Sequence, residues 1–532
     1  MREQGPNRSH NSLLRVEEMA QADQMTIRTG ISGADLMEAA GLSVTRHIMH
    51  RYDQMKTLVL CGPGNNGGDG FVIARHLKEA GWQVTLALLG PVEKLSGDAA
   101  LMAGKWDGSL LALTPDVIAT HEFVVDAIFG AGLCRPIEGE VADLINKIND
   151  LGLPVVAVDV PSGVEGNSGQ IRGAAFRATS TVTFFRKKPG HLLYPGREYC
   201  GIVTVTDIGI LERVLGDIAP ETYRNDPTIW RNEFPQMATR GHKYTRGHGV
   251  VISGGAAQGG AARLAAGAAL RIGAGLISVA CPEEAVLSHA AQLTAVMIKP
   301  FSESNSALKS GPDNLDKNDS GKSNLGENDI DGLLEDARLS HWYVGPGCGV
   351  TGQTRSQVLK ILAAGRGCVI DADGLSIFAQ DSDVFFKALK KTAEDFGQFP
   401  LLTPHEGEFA RLFPGLKQGT VKYDKLESAR KAAIRSGAVI LYKGPDTVIA
   451  SPDGRAVIND NAPPTLATAG SGDVLAGLCL GLMTQGMATF EAACAAVWIH
   501  GAAATAFGPG LISQDIEAKI PQVLRYILKN DD

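Results

Sequence analysis

Long apolar runs are missing from this sequence. No stretch of about 18 uninterrupted apolar residues occurs, which is the length that a membrane-spanning helix requires. The N-terminal segment MREQGPNRSHNSLLRVEEMAQADQ also lacks the apolar core of a signal peptide. These two absences argue against a membrane partner and against secretion, and we expect a cytoplasmic protein.

Dense clusters of positive charge and closely spaced cysteine pairs are missing as well. Lys and Arg number 50 against 58 Asp and Glu, the net charge is −8, and no dense basic block occurs. Nucleic acids and anionic membrane surfaces select clustered positive charge, so we expect small molecules as substrates. The eight cysteines form no C-x-x-C pair, which excludes the usual zinc-site and disulfide patterns.

Apolar runs of strand length alternate with helix-like segments along most of the chain. TLVLC, QVTLALLG, EFVVDAIFG and PVVAVDVPSG belong to a first series, and a second begins near His248 with GVVISGG. This alternation predicts α/β domains with parallel sheets covered by helices on both faces. We expect a Rossmann-like three-layer α/β/α domain over residues 1–225 and a second α/β domain over residues 226–532. A polar segment at 302–331, rich in Ser, Asn, Asp and Gly, is predicted to be a disordered surface insertion.

The stretch CGPGNNGGDGFVIARHL follows the first apolar run and fits the G-x-G-x-x-G pattern with Gly62, Gly64 and Gly67. Such a turn lets a pyrophosphate approach the positive N-terminus of a helix. A dinucleotide-dependent oxidoreductase also needs an acidic residue at the end of the next strand. The strand WQVTLALLG ends without one. We therefore do not favour a simple oxidoreductase.

Polar residues follow three neighbouring strands of the first domain. They are Asn66, Asp126, Asp159 and Ser162. Carboxylate, amide and hydroxyl oxygens suit a monovalent or hard divalent cation, and one carboxylate would remain for acid/base work. Taken singly, these residues also fit helix N-caps and turn positions. Their convergence at one sheet edge favours a site.

Four motifs of the first half, MEAAG, GPGNNGGDG, VDAIFGAGL and VDVPSG, resemble those of the NAD(P)HX epimerase family over residues 13–210. That family interconverts the R and S forms of NAD(P)HX, the nicotinamide cofactor hydrated at ring carbon six. The resemblance implies that Asp159 contacts the substrate and that Asn66, Asp126 and Ser162 bind K⁺. A carboxylate that gives and takes a proton suffices for the interconversion, and Asp159 is our candidate for this catalytic role. The resemblance also implies a substrate-binding set made of Asn65, Asn66, Gly67, Gly68, Asp69, Gly130, Ala131, Gly132, Leu133, Cys134, Arg135, Pro136 and Asp159.

The second half carries a glycine-rich turn, ATAGSGDVLAGL, at the start of an apolar helix. Such a turn directs backbone N–H groups at an anion, and Asp473 could accept a proton from an attacking hydroxyl group. Upstream, YKGPDT offers Lys443, Gly444 and Thr447 for nucleotide phosphates. Each residue alone also fits an ordinary cap, surface or core role, but together they predict a ribokinase-like fold. In TPHEGEF, Glu408 could hold Mg²⁺ directly or through water.

The set HKYTRGHGVVISGG, VGPGCG, DADGL, TPHEGEF, KGPDT and AGSGD is similar to the NAD(P)HX dehydratase family over about residues 244–528. This resemblance implies removal of water from (S)-NAD(P)HX at the expense of ADP or ATP, with Asp473 as the base. The substrate-binding residues that it implies are Ala257, Gly347, His405 and Asp473, and the nucleotide-binding ones are Lys443, Gly444, Pro445, Asp446, Thr447 and Gly472.

The two halves together predict a bifunctional metabolite-repair enzyme, both isomerase and lyase. A dehydratase that accepts one epimer leaves the other unrepaired unless an epimerase converts it. The motifs do not separate ADP from ATP, but the fused arrangement resembles forms that use ADP. The family resemblance also implies a homo-oligomer. Two alternatives stay open: a ribokinase-like small-molecule kinase, and a non-catalytic dinucleotide-sensing module in the first half.

Overall fold

The computed structural model describes residues 10–118, 120–236, 240–301, 330–416 and 424–529. The chain divides into two compact units between Arg224 and Asn225. Most of the predicted polar insertion, residues 302–329, lies outside the described residues. Each unit has an α/β fold, which confirms the predicted fold class.

The first unit is built on a parallel sheet with the strand order β3-β2-β1-β4-β5-β6-β7. This order reverses between β1 and β4, as in doubly wound dinucleotide-binding folds, where ligands lie beyond the strand ends at that switch point. The strands are β1 (Thr57–Cys61), β2 (Val84–Leu88), β3 (Leu110–Ala112), β4 (Phe123–Ala127), β5 (Val155–Val158), β6 (Ser180–Phe184), β7 (Ile202–Thr206) and, at the end of the unit, β8 (Thr222–Arg224).

Helices cover both faces of this sheet. Alternate residues of β1 belong to different cores: Val59 to one hydrophobic cluster, and Leu58 and Leu60 to another. Strands buried on both faces read as continuous apolar runs, which is why the sequence revealed them. The helices are α1 (Val16–Arg28), α2 (Gly33–Arg51), α3 (Asn65–Glu79), α4 (Gly97–Ala103), α5 (Gly139–Leu151), α6 (Gly196–Tyr199) and α7 (Val214–Ile218).

The strands of the second unit follow one another in the order β11-β10-β9-β12-β13-β14-β15-β16-β17. The pairings are parallel up to β15, and β15, β16 and β17 pair antiparallel. The strands are β9 (His248–Ile252), β10 (Leu276–Pro282), β11 (Met297–Phe301), β12 (Leu339–Val344), β13 (Gly367–Ile370), β14 (Leu401–Leu402), β15 (Val439–Tyr442), β16 (Val448–Ala450) and β17 (Ala456–Ile458).

The helices of the second unit include two apolar ones near its C-terminal end, α17 and α18. By length and composition α18 (Thr489–Phe507) could cross a membrane, but 72% of its apolar stretch is buried inside the protein, as in the core helix of a globular domain. The helices are α8 (Pro227–Trp230), α9 (Gly260–Arg271), α10 (Val286–Ala290), α11 (Asp331–Leu334), α12 (Gly352–Ala363), α13 (Asp373–Ser376), α14 (Ser382–Phe396), α15 (Glu406–Leu412), α16 (Lys425–Ser436), α17 (Ser471–Thr484), α18 (Thr489–Phe507) and α19 (Ser513–Lys529).

Candidate functional sites

A cavity of about 610 Å³ opens at the carboxyl ends of the central strands of the first unit. Its polar wall comes from the N-terminus of α3, the loop after β4 and the first residue after β5. Its apolar wall comes from α1 and α2, including Met19 and Met37. Ten of the predicted substrate-binding residues line it: Asn65, Asn66, Asp69, Gly130, Ala131, Gly132, Leu133, Cys134, Arg135 and Asp159.

Three predicted substrate-binding residues lie outside the cavity lining. A β-carbon on Gly67 would lie 1.9 Å from the carbonyl oxygen of Gly62, and one on Gly68 would lie 2.5 Å from the sulfur of Met37. Both glycines therefore permit close packing of α3 against its own turn and against α2. Pro136 is exposed and follows the lining residues of its loop.

Two of the three predicted cation ligands, Asp126 and Ser162, contact each other directly. Ser162 donates from its backbone N–H to Asp126 Oδ2 at 2.6 Å and from its hydroxyl to Asp126 Oδ1 at 2.5 Å. The hydroxyl in turn accepts the N–H of Phe129 at 2.8 Å. Burial raises the pKa of Asp126 to about 6, and the Ser162 hydrogen bonds oppose that shift. Asn66 lies on the cavity side, and its Nδ2 atom is buried with no hydrogen-bond partner among the described residues.

Asp159 occupies a strained and strongly fixed position directly after β5. Its φ of 65° lies in the left-handed region, which Asp tolerates better than most residues. Its Oδ1 atom accepts Lys188 Nζ at 2.5 Å and Thr183 Oγ1 at 2.9 Å. Burial opposes ionisation here, but the Lys188 ammonium group outweighs it and holds the pKa of Asp159 below its usual value.

Two other carboxyl groups line the same cavity, and their pKa values are raised rather than lowered. Asp69 on α3 is 8% exposed, and burial together with the charges of Asp159 and Asp23 raises its pKa well above the ordinary value. Burial also raises the pKa of Asp23 on α1 to about 6, although Lys188 opposes this. The cavity thus combines an ionised carboxylate with carboxyl groups whose surroundings favour the protonated form.

Lys188 and Asp23 line the cavity but were missed by the sequence reasoning. A signal for Lys188 existed, because RKKPGH follows the apolar run STVTFF just as the predicted residues follow their strands. Asp23 had no comparable signal, since it lies on a helix that precedes the first strand.

The second unit also gathers polar residues at the carboxyl ends of adjacent parallel strands. Lys443, after β15, bonds through Nζ to Asp371 Oδ1, after β13, at 2.7 Å. Tyr343 of β12 contacts Asp473 Oδ1 with its hydroxyl group at 3.5 Å. Asp473 itself lies in the first turn of α17. Burial raises the pKa of Asp473 to about 6, with Asp371 adding to the shift and Lys443 opposing it.

The turn before α17 points an open helix end towards this cluster. Gly470 has a φ of 82° at the N-cap, a conformation that glycine adopts without strain. A β-carbon on Gly472 would lie 3.8 Å from Lys443 Nζ, so the predicted residues Gly472, Lys443 and Asp473 come together. The first N–H groups of a helix have no intrahelical acceptor, which makes such an end an anion site.

His405 and Glu408 form a capping box at the start of α15. His405 Nδ1 accepts the backbone N–H of Gly407 at 2.9 Å, while Glu408 Oε2 accepts the N–H of His405 at 2.8 Å. His405 keeps its side chain 55% exposed, whereas the Glu408 side chain is 6% exposed. His405 is therefore accessible to a ligand, and Glu408 is committed to the helix cap.

The predicted nucleotide-binding segment 443–447 divides into two parts. Lys443 belongs to the cluster above, and Gly444 and Pro445 are exposed. Asp446 is buried and pairs with Lys425 Nζ at 2.5 Å. The hydroxyl of Thr447 donates to the carbonyl oxygen of Gly444 at 2.8 Å, so it closes its own turn.

Ala257 and Gly347 come from neighbouring strand ends, after β9 and β12. A β-carbon on Gly347 would lie 2.8 Å from the carbonyl oxygen of Gln258, the residue after Ala257. Ala257 is exposed on a short 3₁₀ turn. The two predicted residues therefore lie close together on the edge of the sheet that carries Asp371 and Lys443.

Two family models match the chain, one in each unit. Residues 33–190 match the model described as YjeF-related protein N-terminus. Residues 250–522 match the model described as NAD(P)H-hydrate dehydratase. The first match includes Asn66, Asp126, Asp159 and Lys188, and the second includes Lys443 and Asp473.

Full-length relatives match across both units. The bifunctional NAD(P)H-hydrate repair enzyme Nnr of Moorella thermoacetica is 35% identical over 92% of this chain and 91% of its own length. The corresponding enzyme of Salinibacter ruber is 34% identical, with 95% of this chain and 94% of its own length covered. A crystal structure of the ADP/ATP-dependent NAD(P)H-hydrate dehydratase from Bacillus subtilis with ATP/Mg²⁺ has a TM-score of 0.44 and 24% identity, covering 57% of this chain and 98% of that one. On the sequence matches, the chain belongs to the family of bifunctional NAD(P)H-hydrate repair enzymes, with an epimerase and a dehydratase domain.

Proposed function

We propose that the first unit interconverts (R)- and (S)-NAD(P)HX and that the second unit dehydrates the S epimer to NAD(P)H at the expense of ADP, giving AMP and phosphate. The observation that carries the proposal is that each unit has its own candidate acid/base carboxylate, and that a buried or half-buried lysine side chain lies next to it. Asp159 contacts Lys188 in the first unit, and Asp473 lies beside Lys443 in the second.

In the epimerase reaction the ring nitrogen of NAD(P)HX expels the hydroxyl group and forms an iminium ion, which water attacks again from either face. The hydroxyl group takes a proton as it leaves as water, and the attacking water gives a proton up, so the site must hold both a proton donor and a proton acceptor. The donor would be the carboxyl group of Asp69, whose pKa is raised well above its ordinary value, and the acceptor would be an ionised carboxylate. Asp159 suits the role because its carboxylate is ionised, lines the cavity and is fixed by hydrogen bonds. Asn65 and the loop 130–136 would hold the dinucleotide, with its pyrophosphate at the N-terminus of α3.

Asn66, Asp126 and Ser162 would hold K⁺ beside the loop 130–136. The donor set fits, because all its ligand atoms are oxygens and because Asn66 Nδ2 is buried without a partner among the described residues, which leaves the amide free to turn. A bound K⁺ would supply positive charge that offsets the buried Asp126 carboxylate.

In the dehydratase reaction Asp473 would accept the proton of the substrate hydroxyl group as its oxygen attacks the terminal phosphorus of the nucleotide. Backbone N–H groups at residues 469–472 would stabilise the transferred phosphoryl group. Phosphate then leaves as the ring nitrogen donates its electron pair, and loss of a proton from the adjacent ring carbon restores NAD(P)H. Lys443 would offset the negative charge that gathers near Asp473.

Mg²⁺ would accompany the nucleotide phosphates in the second unit and neutralise their charge. Both Glu408 oxygens already contact His405, at 2.8 Å and 3.3 Å, so we assign Glu408 to the cap and to water-mediated contact at most. Ala257, Gly347 and His405 would contact the hydrated nicotinamide, and Lys443, Gly444, Pro445 and Gly472 the adenine nucleotide. Asp446 and Thr447 would shape that nucleotide segment from within.

We extend the proposal to the setting of the enzyme. The substrates are small molecules, the location is cytoplasmic and the protein self-associates, while nucleic acids and membranes are not partners. The net charge of −8 and the lack of dense basic blocks argue against nucleic-acid and membrane partners, and the family resemblance is the support for self-association. Size-exclusion chromatography with light scattering measures self-association, and a monomer at micromolar concentration would remove that element.

The two activities are tested separately on variants of the full chain. The activity of the first unit is measured as the interconversion of purified (R)- and (S)-NADHX in the absence of nucleotide, with chromatography of the two epimers. Asp159→Ala should abolish interconversion and leave dehydration of (S)-NADHX intact, and Asp473→Asn should do the reverse. Accumulation of a stable phosphorylated product, with no NADH formed, would support the small-molecule kinase alternative instead.

A further inference from the structure

We propose that Lys188 and Thr183 are positioning residues that fix Oδ1 of Asp159, and that His191 fixes the backbone of Asp159, so that Oδ2 is the oxygen that exchanges protons with the substrate. This inference rests on the proposed epimerase function of the first unit. None of the three residues carries chemistry in the mechanism above, and each acts only through Asp159.

The two oxygens of Asp159 have very different surroundings. Oδ1 accepts two short bonds, from Lys188 Nζ at 2.5 Å and from Thr183 Oγ1 at 2.9 Å. Among the residues that the structure describes, Oδ2 accepts one hydrogen bond, from the N–H of Ala131 at 3.3 Å. A β-carbon on Gly130 would lie 3.5 Å from Oδ2, which places this oxygen against the glycine-rich loop that lines the cavity. Oδ1 is thus occupied, and Oδ2 remains available to a ligand.

Lys188 is suited to hold this geometry because it has little freedom. Its side chain is 2% exposed, and Nζ also donates to Thr183 Oγ1 at 2.9 Å. Lys188, Thr183 and Asp159 therefore form a closed triangle of hydrogen bonds at the ends of β5 and β6. An ordered side chain at such a triangle keeps a carboxylate within a narrow range of orientations.

His191 connects the backbones of the two partners. Its Nδ1 atom accepts the N–H of Lys188 at 2.9 Å, and its Nε2 atom lies 2.8 Å from the carbonyl oxygen of Asp159. A backbone N–H can only donate and a carbonyl can only accept, so the ring is neutral with its proton on Nε2. Burial lowers the pKa of His191 to about 4, in agreement with this neutral form. The bond supports the left-handed φ of 65° at Asp159.

The charges around Asp159 explain why Lys188 is needed for Asp159 to accept a proton. The groups that face it are Lys188 and His191 from the loop after β6, Asp69 from α3 and Asp23 from α1. Lys188 is the cation that outweighs burial and keeps Asp159 ionised. Without this charge, burial and the nearby carboxyl groups would favour a protonated Asp159, which cannot accept a proton.

The experiment compares the pH dependence of epimerisation in four variants of the full chain. Loss of a neighbouring opposite charge raises a carboxyl pKa by about one to three units. Lys188→Met should therefore move the acid limb of kcat/KM upward by about that amount, and Lys188→Arg should largely restore the wild-type profile. Thr183→Val removes one bond to Oδ1 and should give a smaller shift in the same direction. Lys187→Met removes the same charge from a neighbouring side chain that lines a different cavity, and should leave the profile unchanged.

A wild-type profile in Lys188→Met, with full activity across the range, would overturn the inference while the epimerase function stands. Absence of epimerisation in the wild-type chain would instead remove the proposed function on which it rests. Circular dichroism checks the fold of each variant. If Lys188→Met does not fold, the other two variants still decide the question. An unchanged pH profile in Thr183→Val would contradict the inference. Loss of the wild-type pH profile in a folded Lys188→Arg would also contradict it.

Discussion

The ion pair between Lys425 and Asp446 gives a quantitative prediction about the second unit. The two side chains are 4% and 3% exposed, and Nζ lies 2.5 Å from Oδ1. Lys425→Met would leave the Asp446 carboxylate buried without its cation. Breaking a buried pair by removing one partner costs about 3–5 kcal/mol. The second unit spans Asn225–Asp532, and an unfolding entropy of about 2.1 cal/mol/K per residue makes each kcal/mol worth about 1.5 °C in Tm. The Tm of this unit should therefore fall by roughly 5–8 °C.

Thermal unfolding followed by calorimetry measures this effect. The double variant Lys425→Met/Asp446→Asn removes both charges and should recover most of the lost stability, because no unpaired charge remains buried. Lys387→Met, at an exposed position of α14, is the matched control and should unfold as the wild type does. A Tm of Lys425→Met within about 1 °C of the control would refute the view that Asp446 is a structural residue of the nucleotide segment.

The remaining predictions concern the two sites. Asp473→Asn should lower dehydratase kcat by about 10²–10⁴-fold and leave epimerisation intact. Burial raises the pKa of Asp473 to about 6, and the base must be ionised to act. The wild-type dehydratase rate should therefore fall as the pH drops through about 6. Gly67→Ala should destabilise the first unit by about 1–3 kcal/mol in urea unfolding, since its β-carbon meets the carbonyl of Gly62, whereas Gly64→Ala, with nothing within 4 Å, should not. Replacing K⁺ by Na⁺ or choline should slow epimerisation, assayed by chromatography of the epimers, and leave the dehydratase rate unchanged.

The sheets could be predicted well because parallel strands buried on both faces read as apolar runs. The run TLVLC coincides with β1, and the run EFVVDAIFG contains β4. Strands at or near a sheet edge gave weaker signals: β3 is only Leu110–Ala112 and exposed, and β11 contains Pro300. These edge strands were missed since exposure and short length remove the apolar pattern on which the prediction depends.

The candidate sites were predictable where the chemistry follows a strand directly. Asp159 and Asp473 stand next to a strand end and a glycine-rich turn, and the structure places both among titratable groups. Lys188 was missed because its contact with Asp159 depends on β5 and β6 being neighbours in the sheet. Asp446, which we predict in the nucleotide-binding segment, pairs with Lys425 on α16, and sequence spacing does not reveal that contact.

The proposed function requires that one chain repairs both epimers of a hydrated nicotinamide cofactor. The most direct measurement is the nicotinamide absorbance of a mixed-epimer NADHX preparation after addition of the protein with Mg²⁺ and K⁺, comparing ADP, ATP and no nucleotide. The account predicts complete recovery of NADH with ADP, no recovery without nucleotide, and recovery that stops when the S epimer is exhausted in Asp159→Ala. No recovery of NADH with either nucleotide in the wild-type protein would contradict it.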